Sequence, residues 1–145
     1  MGADAESRLT LEAAEQLFME DLETLDDRLL QHEYLLSHIE CLDALPPELC
    51  TPERKVEGCA SNAWMELAAE EGLLHVRMNS DSLIIKGLLG VLSLLVQDRP
   101  CSEVAALEPC VLEHPQLKPQ LNVDRRKGMR TIVSAIRAFG SQQLT

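Results

Sequence analysis

The stretch that decides the fold runs from Ser80 to Val96 and reads Ser-Asp-Ser-Leu-Ile-Ile-Lys-Gly-Leu-Leu-Gly-Val-Leu-Ser-Leu-Leu-Val. The part from about residue 82 to residue 97 predicts a helix that is apolar nearly all round, and such a helix belongs in the buried centre of a domain. Ser80 or Asp81 is expected to cap its N-terminus. We therefore expect the neighbouring elements to pack around this helix.

Two glycines, Gly87 and Gly90, lie three residues apart on this helix. Their missing side chains are expected to allow close packing against a sheet. The apolar run is interrupted by Lys86 and is shorter than the roughly 20 residues that a membrane span needs. We interpret it as a core helix.

Three short strands are predicted before the helix, at about residues 55–58, 61–69 and 73–79. In the last of them apolar and polar residues alternate, which is the pattern of a strand with one face in water. The simplest product is a small antiparallel three-stranded sheet. The only tryptophan, Trp64, is expected to be a buried anchor under that sheet.

Helices are predicted on both sides of this region, and residues 1–7, which are small and polar, are expected to be disordered. The first expected helix starts after Thr10 and ends near Leu25, and the second starts at Asp26 or Asp27 and ends at Asp43. Two short helices are expected at 102–107, with Ser102 as the cap, and at 111–117. The last expected helix starts at 122–124 and ends at Gly140. The sequence thus predicts one α+β domain over residues 1–145.

Composition limits the classes of partner. The chain has 145 residues, 46% of them hydrophobic, which suits one domain with a sizeable core. Its net charge of −11 opposes binding to nucleic acid or to an anionic membrane, because phosphate groups would be repelled. Protein partners are favoured.

The cysteines indicate the compartment. There are five, an odd number without a C-x-x-C pair, which indicates reduced thiols and not a secreted disulfide framework. The N-terminus resembles neither a signal nor a transit peptide, so a cytoplasmic location is predicted. The spacing of the histidines and cysteines does not provide the four ligands of a zinc site, and no bound metal is expected.

Cys59 differs from the other cysteines by its context, Lys55-Val56-Glu57-Gly58-Cys59-Ala60-Ser61-Asn62-Ala63-Trp64. Two strand-like runs flank it, so the thiol is predicted to lie on a tight connection where a partner can reach it. Gly58 tolerates a positive φ and allows close approach of another backbone. A nucleophilic or carrier thiol is predicted here. The remaining four cysteines are interpreted as small buried hydrophobic residues: Cys41, Cys50, Cys101 and Cys110.

This decapeptide resembles the central motif V-x-G-C-x-S-x-V-W of the SufE family, the sulfur-acceptor proteins of iron–sulfur cluster assembly. The matching residues are Val56, Gly58, Cys59, Ser61 and Trp64. The resemblance continues through L-P-P-E-L at 45–49, T-P-E at 51–53, S-D-S at 80–82, I-K-G-L at 85–88, and Arg125 with Gly128 in place of S-R-x-x-G-L. Order and spacing agree from about residue 25 to residue 139.

The resemblance implies that Cys59 accepts persulfide sulfur from a PLP-dependent cysteine desulfurase of the SufS type. The chain would stimulate the desulfurase by removing its persulfide sulfur, and would pass that sulfur to a scaffold complex of the SufBCD kind. It would be a carrier and activator, not an enzyme, and would have no cofactor of its own because PLP belongs to the partner. The implied fold, with helices around a small antiparallel sheet, is shared with IscU-type scaffolds, and a monomer or weak homodimer is expected.

Several residues are candidates for shaping or binding at the cysteine. Only the thiolate attacks well, and a free thiol has a pKa of about 8.5, so nearby positive charge is expected to help. The candidates for that charge are Arg54, Lys55 and Arg125. Ser61 is a candidate for a hydrogen bond within the turn, and Asp81 is a candidate for partner contact as well as a helix cap. The basic residues Arg125, Arg126, Lys127 and Arg130 are either a solvated face or a surface that steers an acidic patch of a partner.

The sequence departs from the family motif at four positions, and two other functions stay open. Ala60, Asn62 and Ala63 replace the commoner Gln, Gln and Val, and Asp124 stands where Ser is usual. These changes leave open which desulfurase is recognised. One alternative is an IscU-like metal or iron–sulfur cluster scaffold, which would need several converging cysteines. The other is a thiol hydrolase that pairs Cys59 with a histidine.

Overall fold

A computed structural model describes residues 9–57, 61–108, 111–115 and 117–144 of the chain. The disorder expected for residues 1–7 lies outside these ranges. Cys59, its neighbours Gly58 and Ala60, and Cys110 also lie outside them.

The described residues form five α-helices and two β-strands, so the mixed helix-and-strand class is confirmed. In chain order these are α1 Leu11–Glu23, α2 Arg28–Ser37, β1 Ala63–Glu70, β2 Leu73–Ser80, α3 Leu83–Val96, α4 Cys101–Ala105 and α5 Val123–Gln142. Short 3-10 turns connect them at His38–Cys41, Pro47–Leu49, Pro52–Arg54, Val111–Glu113 and Lys118–Gln120.

Polar side chains cap the N-termini of the long helices by accepting hydrogen bonds from backbone N–H groups that have no partner within the first turn. Thr10 caps α1 and Asp27 caps α2, as predicted. Asn122 caps α5 by accepting from the backbone of Arg125 at 2.8 Å. The cap of α3 is Ser82, which accepts from Ile85 at 3.3 Å, so the prediction of Ser80 or Asp81 as this cap was wrong.

Several helix predictions were wrong in their bounds or type. The second helix was expected to reach Asp43 but ends at Ser37 and passes into a 3-10 turn, and the helix expected over 111–117 is a 3-10 turn at Val111–Glu113 among the described residues. The short helix α4 begins at Cys101 directly after Pro100, without the expected cap from Ser102. The last helix continues past Gly140 to Gln142. A Cβ on Gly140 would lie 3.0 Å from the carbonyl oxygen of Cys101, so this glycine permits close contact between α5 and α4 and does not end the helix.

The sheet has two antiparallel strands and not the predicted three. Their register runs from Ala63 opposite Ser80 to Glu70 opposite Leu73, and the turn is Glu71-Gly72, both at positive φ. Turns of this conformation match the twist of a hairpin. Among the described residues, the predicted strand at 55–58 is reduced to one isolated bridge between Lys55 and Trp64. The segment leaves a 3-10 turn at Arg54 and turns again at Glu57, which is too short for a second bridging pair.

The outer edge of β2 is closed without another strand. The side-chain amide of Gln97 both donates to and accepts from the backbone of Val76, at 2.8 Å each. Other segments form backbone hydrogen bonds with both ends of this edge. Leu74 bonds with Asp98 and Arg99, and Met78 bonds with Asp43 and Leu45. These bonds satisfy edge groups that would otherwise be free to pair with another chain.

The core lies between α3 and the inner face of the hairpin. Leu74, Val76 and Met78 are buried on that face. Strand alternation puts Trp64 on the opposite face, where it is half-buried, so the prediction of a buried anchor under the sheet was wrong.

The glycines of α3 contact a helix and not the sheet, contrary to the prediction. A Cβ on Gly87 would lie 2.8 Å from the carbonyl oxygen of Leu35, and one on Gly90 would lie 1.9 Å from that of His38. Both acceptors belong to α2 and the 3-10 turn after it. Because Leu35 is opposite Gly87 and His38 is opposite Gly90, α2 and α3 run in the same direction.

Replacing Gly90 with alanine should destabilise the fold by about 2 kcal/mol or more, since the added methyl group would overlap the backbone of His38. The clash has to exceed the gain of about 1 kcal/mol that alanine brings to a helix interior. The measurement is urea unfolding. Leu94→Ala is the control on the same helix, because Leu94 is 42% exposed, and a change within about 0.5 kcal/mol is expected there. Equal stability of Gly90→Ala and the original chain would contradict the close contact.

Candidate functional site

The two flanks of the cysteine motif are held together at the start of β1. The buried residue Val56 donates its backbone N–H to the carbonyl oxygen of Ala63 at 2.8 Å. The segment 57–62 therefore leaves and rejoins the sheet edge at one place. Of its described residues, Glu57 and Asn62 are exposed and Ser61 is half-buried. Cys59 and Gly58 lie outside the described residues, so the predicted position of the thiol stays a prediction.

The second flank is tied to the corner between β2 and α3. The carbonyl oxygen of Asn62 accepts from the hydroxyl of Ser80 at 2.7 Å and from the backbone N–H of Asp81 at 3.2 Å. The side-chain amide of Asn62 donates to a carboxylate oxygen of Asp81 at 2.8 Å. Asn62 thus fastens the end of the motif to the start of the buried helix.

Each residue of the Ser80-Asp81-Ser82 corner has a separate contact. The hydroxyl of Ser80 bonds Asn62 and also accepts from the backbone of Ser82 at 3.1 Å. The carboxylate of Asp81 receives the Asn62 amide, and Ser82 caps α3. Asp81 is exposed, and its predicted contact with a partner stays a prediction. The sequence did not reveal that Asn62, noted only as a departure from the family, binds Asp81.

Ser61 is half-buried and has no hydrogen-bond partner in the ranges that the structure describes. Its predicted bond within the turn therefore stays a prediction.

Arg54 acts as a structural clamp. Its Nε donates to Oε2 of Glu66 at 3.3 Å, and its Nη1 donates to the carbonyl oxygen of Leu49 and to the hydroxyl of Thr51 at 3.4 and 3.2 Å. These bonds hold the approach to the cysteine against β1. Because a carboxylate already compensates its charge, Arg54 is a weaker source of positive potential than the sequence suggested.

Lys55 and Arg125 remain candidates for that potential. Lys55 is exposed and has no ion pair with any described residue. Arg125 donates through Nη1 to the carbonyl oxygen of Gln120 at 3.1 Å, which fixes one side of its guanidinium at the start of α5. Neither observation tests a role of Lys55 or Arg125 beside the thiol.

Glu66 joins two arginines on the outer face of the hairpin. Arg77 donates to Oε1 of Glu66 from Nε at 3.0 Å and from Nη2 at 2.5 Å, while Arg54 bonds the other carboxylate oxygen. The hydrogen bond from Arg77, together with the charges of both arginines, lowers the pKa of the Glu66 carboxyl below its ordinary value. Sequence reasoning missed this network. The two-residue turn Glu71-Gly72 was the available signal, because it places Glu66 opposite Arg77.

The three cysteines that the structure describes occupy different environments. Cys101 is buried, Cys50 is half-buried with its thiol 3.6 Å from the carbonyl oxygen of Leu45, and Cys41 is exposed. The prediction of burial is therefore confirmed for Cys101 and wrong for Cys41. Partial burial of the thiol and the nearby charge of Glu40 raise the pKa of Cys41, which favours the less reactive protonated form.

Neither a metal cluster nor a membrane-spanning helix is found in the described part of the chain. No three His, Cys, Asp or Glu side chains among the described residues are grouped to hold a metal ion. No helix within those ranges is long and apolar enough to cross a bilayer.

Comparison with known proteins identifies similar sequences over most of the chain. A family model described as "SufE: Fe-S metabolism associated domain" matches residues 16–139. An uncharacterised SufE-like protein of Rhizobium etli is 30% identical over 135 residues, which are 90% of each chain. The sulfur acceptor protein CsdE of Escherichia coli is 33% identical over 103 residues, which are 70% of each chain.

The same fold occurs in a protein of known structure. It is a hypothetical protein from Thermus thermophilus, whose solution structure has a TM-score of 0.74 and covers 90% of this chain and 96% of its own. Its sequence identity is 16%, so this similarity concerns the fold alone.

The Glu66 network predicts that the free energy of unfolding lost in Glu66→Gln depends on pH. Since folding lowers the Glu66 pKa from 4.5, the ionised carboxylate stabilises the fold fully above that pH, and its contribution is lost as pH falls through the lowered pKa. The difference in free energy of unfolding between the original chain and Glu66→Gln should therefore shrink on acidification. Urea titrations at several pH values measure it. Glu48→Gln, at an exposed carboxylate without an ion pair among described residues, should show a much smaller pH dependence, and a pH-independent loss in Glu66→Gln would contradict the network.

The contact between Asn62 and Asp81 predicts energetic coupling. Asn62→Ala and Asp81→Ala should each cost about 0.5–1.5 kcal/mol, and the double variant should cost less than their sum because both remove one bond. A double-mutant cycle by urea unfolding measures the coupling. Asn62→Ala combined with Glu48→Ala is the additive control. Additive effects of Asn62→Ala and Asp81→Ala would show that the contact contributes nothing.

Proposed function

The chain belongs to the SufE family, and on that premise we propose that it is a sulfur acceptor whose Cys59 takes persulfide sulfur from a cysteine desulfurase for iron–sulfur cluster assembly. The family match over residues 16–139 and the relative of Rhizobium etli confirm the resemblance predicted from the motifs. The name of the Escherichia coli relative, a sulfur acceptor protein, supports the acceptor role.

The proposed reaction is an exchange between a thiolate and a persulfide. The Cys59 thiolate attacks the terminal sulfur of a persulfide on the partner's cysteine. The bond between the two partner sulfurs breaks, and the partner's cysteine leaves as a thiolate. Cys59 then carries the persulfide with its proton, and no external oxidant or reductant is consumed. Attack needs the thiolate, so the reaction should speed up as a greater fraction of Cys59 ionises.

The anchoring of the motif at both flanks is the observation that carries this proposal. Val56 bonds Ala63 at one end, and Asn62 bonds Ser80 and Asp81 at the other. These flanking residues fix the ends of the segment on a rigid sheet and helix, while Glu57, Asn62 and Asp81 are exposed. A carrier thiol needs this combination of fixed attachment and access for a second protein.

The partner is proposed to be a PLP-dependent cysteine desulfurase of the SufS type, with a scaffold complex of the SufBCD kind as the receiver. In this scheme PLP stays on the desulfurase, and the chain acts as a carrier and activator in the cytoplasm. Clearing the persulfide restores the partner's cysteine for the next turnover, which is how the chain would stimulate its partner.

Sulfur transfer from radiolabelled cysteine tests the proposal directly. When a SufS-type desulfurase turns over with the chain, the label should appear at Cys59 in peptides mapped by mass spectrometry. Cys59→Ser should lose the label and the stimulation while unfolding at the same urea concentration as the original chain. Cys50→Ser is the matched control and should stay near normal.

Two results would contradict this function. Label that reaches another cysteine, or none at all, during turnover of the desulfurase would remove Cys59 as the acceptor. Stoichiometric iron or zinc in protein purified under anaerobic reducing conditions would instead favour the IscU-like scaffold.

A further inference from the structure

Helix α5 has a basic groove in a chain that is otherwise strongly acidic. Five of its 13 lysines and arginines lie between residues 118 and 130, although the net charge of the chain is −11. A shallow, open depression follows one face of this helix over residues 123–134, and all the residues that line it belong to the helix itself. We call it the α5 groove, and it is lined by Val123, Arg126, Lys127, Arg130, Thr131 and Ser134.

The positive charge of the α5 groove is only partly compensated. Arg130 donates to Glu113 at 2.8 Å. This bond and the fields of Arg126, Arg130 and Lys118 lower the pKa of Glu113. Arg126 and Lys127 have no ion pair with any residue that the structure describes. The Nε of Arg126 is shielded from water and has no acceptor among those residues.

The α5 groove lies at the end of the molecule where the cysteine motif is attached. Gln120, just before the first turn of α5, bonds His32 of α2 at 3.0 Å, and Leu35 in the next turn of α2 lies against Gly87 in the first half of α3. Further along α5, Gly140 lies against Cys101, which follows the end of α3. The two helices therefore run in the same direction, and their first turns lie at one end. The first turn of α3 follows the corner that binds Asn62.

We propose that the α5 groove docks an acidic segment of the cysteine desulfurase and holds the partner while Cys59 reacts. This inference rests on the proposed function. Arg126 and Arg130 are four residues apart, which is about 6 Å along a helix. Two carboxylates at i and i+4 of a partner helix, or at i and i+2 of a strand, have a matching separation. Val123, which is 82% exposed, offers an apolar contact beside them.

An acidic protein segment suits the groove better than a nucleic acid does. The net charge of −11 would repel the extended phosphate backbone beyond the groove. A short pair of carboxylates meets only the local positive charge. Attraction of this kind mainly raises the rate of association and weakens as salt rises.

Charge reversal in the groove tests the proposal. Arg126→Glu and Lys127→Glu should each raise about tenfold the concentration of the chain that gives half-maximal stimulation of the desulfurase at low salt. The difference should shrink at about 300 mM salt, because salt screens the attraction between the two charged surfaces. Maximal stimulation and the rate at which a small alkylating reagent modifies Cys59 should not change. Urea unfolding of each variant checks that a loss of docking does not come from a loss of the fold.

Arg28→Glu is the matched control, because Arg28 is exposed in the first turn of α2 and does not line the groove. It changes the net charge by the same amount and should leave unchanged the concentration of the chain that gives half-maximal stimulation. An equal loss in Arg28→Glu, or none in the groove variants, would overturn the docking site. Groove variants that lose binding to duplex DNA but keep their half-maximal concentration would overturn it in favour of nucleic acid.

The outcomes also separate this proposal from the proposed function. If the original chain neither stimulates the desulfurase nor acquires label at Cys59, both proposals fall. If it does both and the groove variants do so at the same concentration, only the docking site falls.

Discussion

The close approach of α3 to the backbone of residues 35–38 is the contact on which the remaining structure depends. Only glycine fits at Gly87 and Gly90, because any Cβ there would overlap carbonyl oxygens that belong to α2 and its following turn. Interiors are packed so densely that such an overlap cannot be absorbed by a small shift. The contact fixes α3 against α2, and with it the Ser80-Asp81-Ser82 corner at the start of α3. The flank of the cysteine motif is bound to that corner.

The two faces of the hairpin have different roles, since the inner face stabilises the fold and the outer face holds the chain that leads to the motif. Its inner face is apolar and covers α3, whereas its outer face carries the network of Glu66 with Arg54 and Arg77. That network adds little free energy in water, since exposed ion pairs contribute at most about 1 kcal/mol. Its effect is positional, because Arg54 also bonds residues 49 and 51 and so holds the chain that leads to the motif. The outer face is therefore part of the support for the segment that leads to the cysteine motif.

Charge is distributed unevenly over this protein, and the distribution suits recognition by another protein. The acidic total disfavours phosphate-rich partners, while the α5 groove gathers arginine and lysine at the end where the motif is attached. A partner with matching acidic residues would be attracted to that end before any close contact forms. Transfer of sulfur between two proteins benefits from such orientation, since the reacting sulfurs must meet in line.

The sequence by itself determined the features that depend on neighbours a few residues apart. These include the caps Thr10 and Asp27, the buried character of α3, the turn at Glu71-Gly72 and the motif around Cys59 that indicated the family. Only the tertiary structure decided which surfaces meet: α2 and not the sheet at Gly87 and Gly90, one bridge in place of a third strand, and Asn62 bound to Asp81. It also placed Trp64 on the outer face and bound Arg54 to Glu66. Helix periods, caps and tight turns are local, and a sequence records them directly. The pairing of distant surfaces follows from the competition of all segments for the same buried area and hydrogen-bonding groups, which no local pattern specifies.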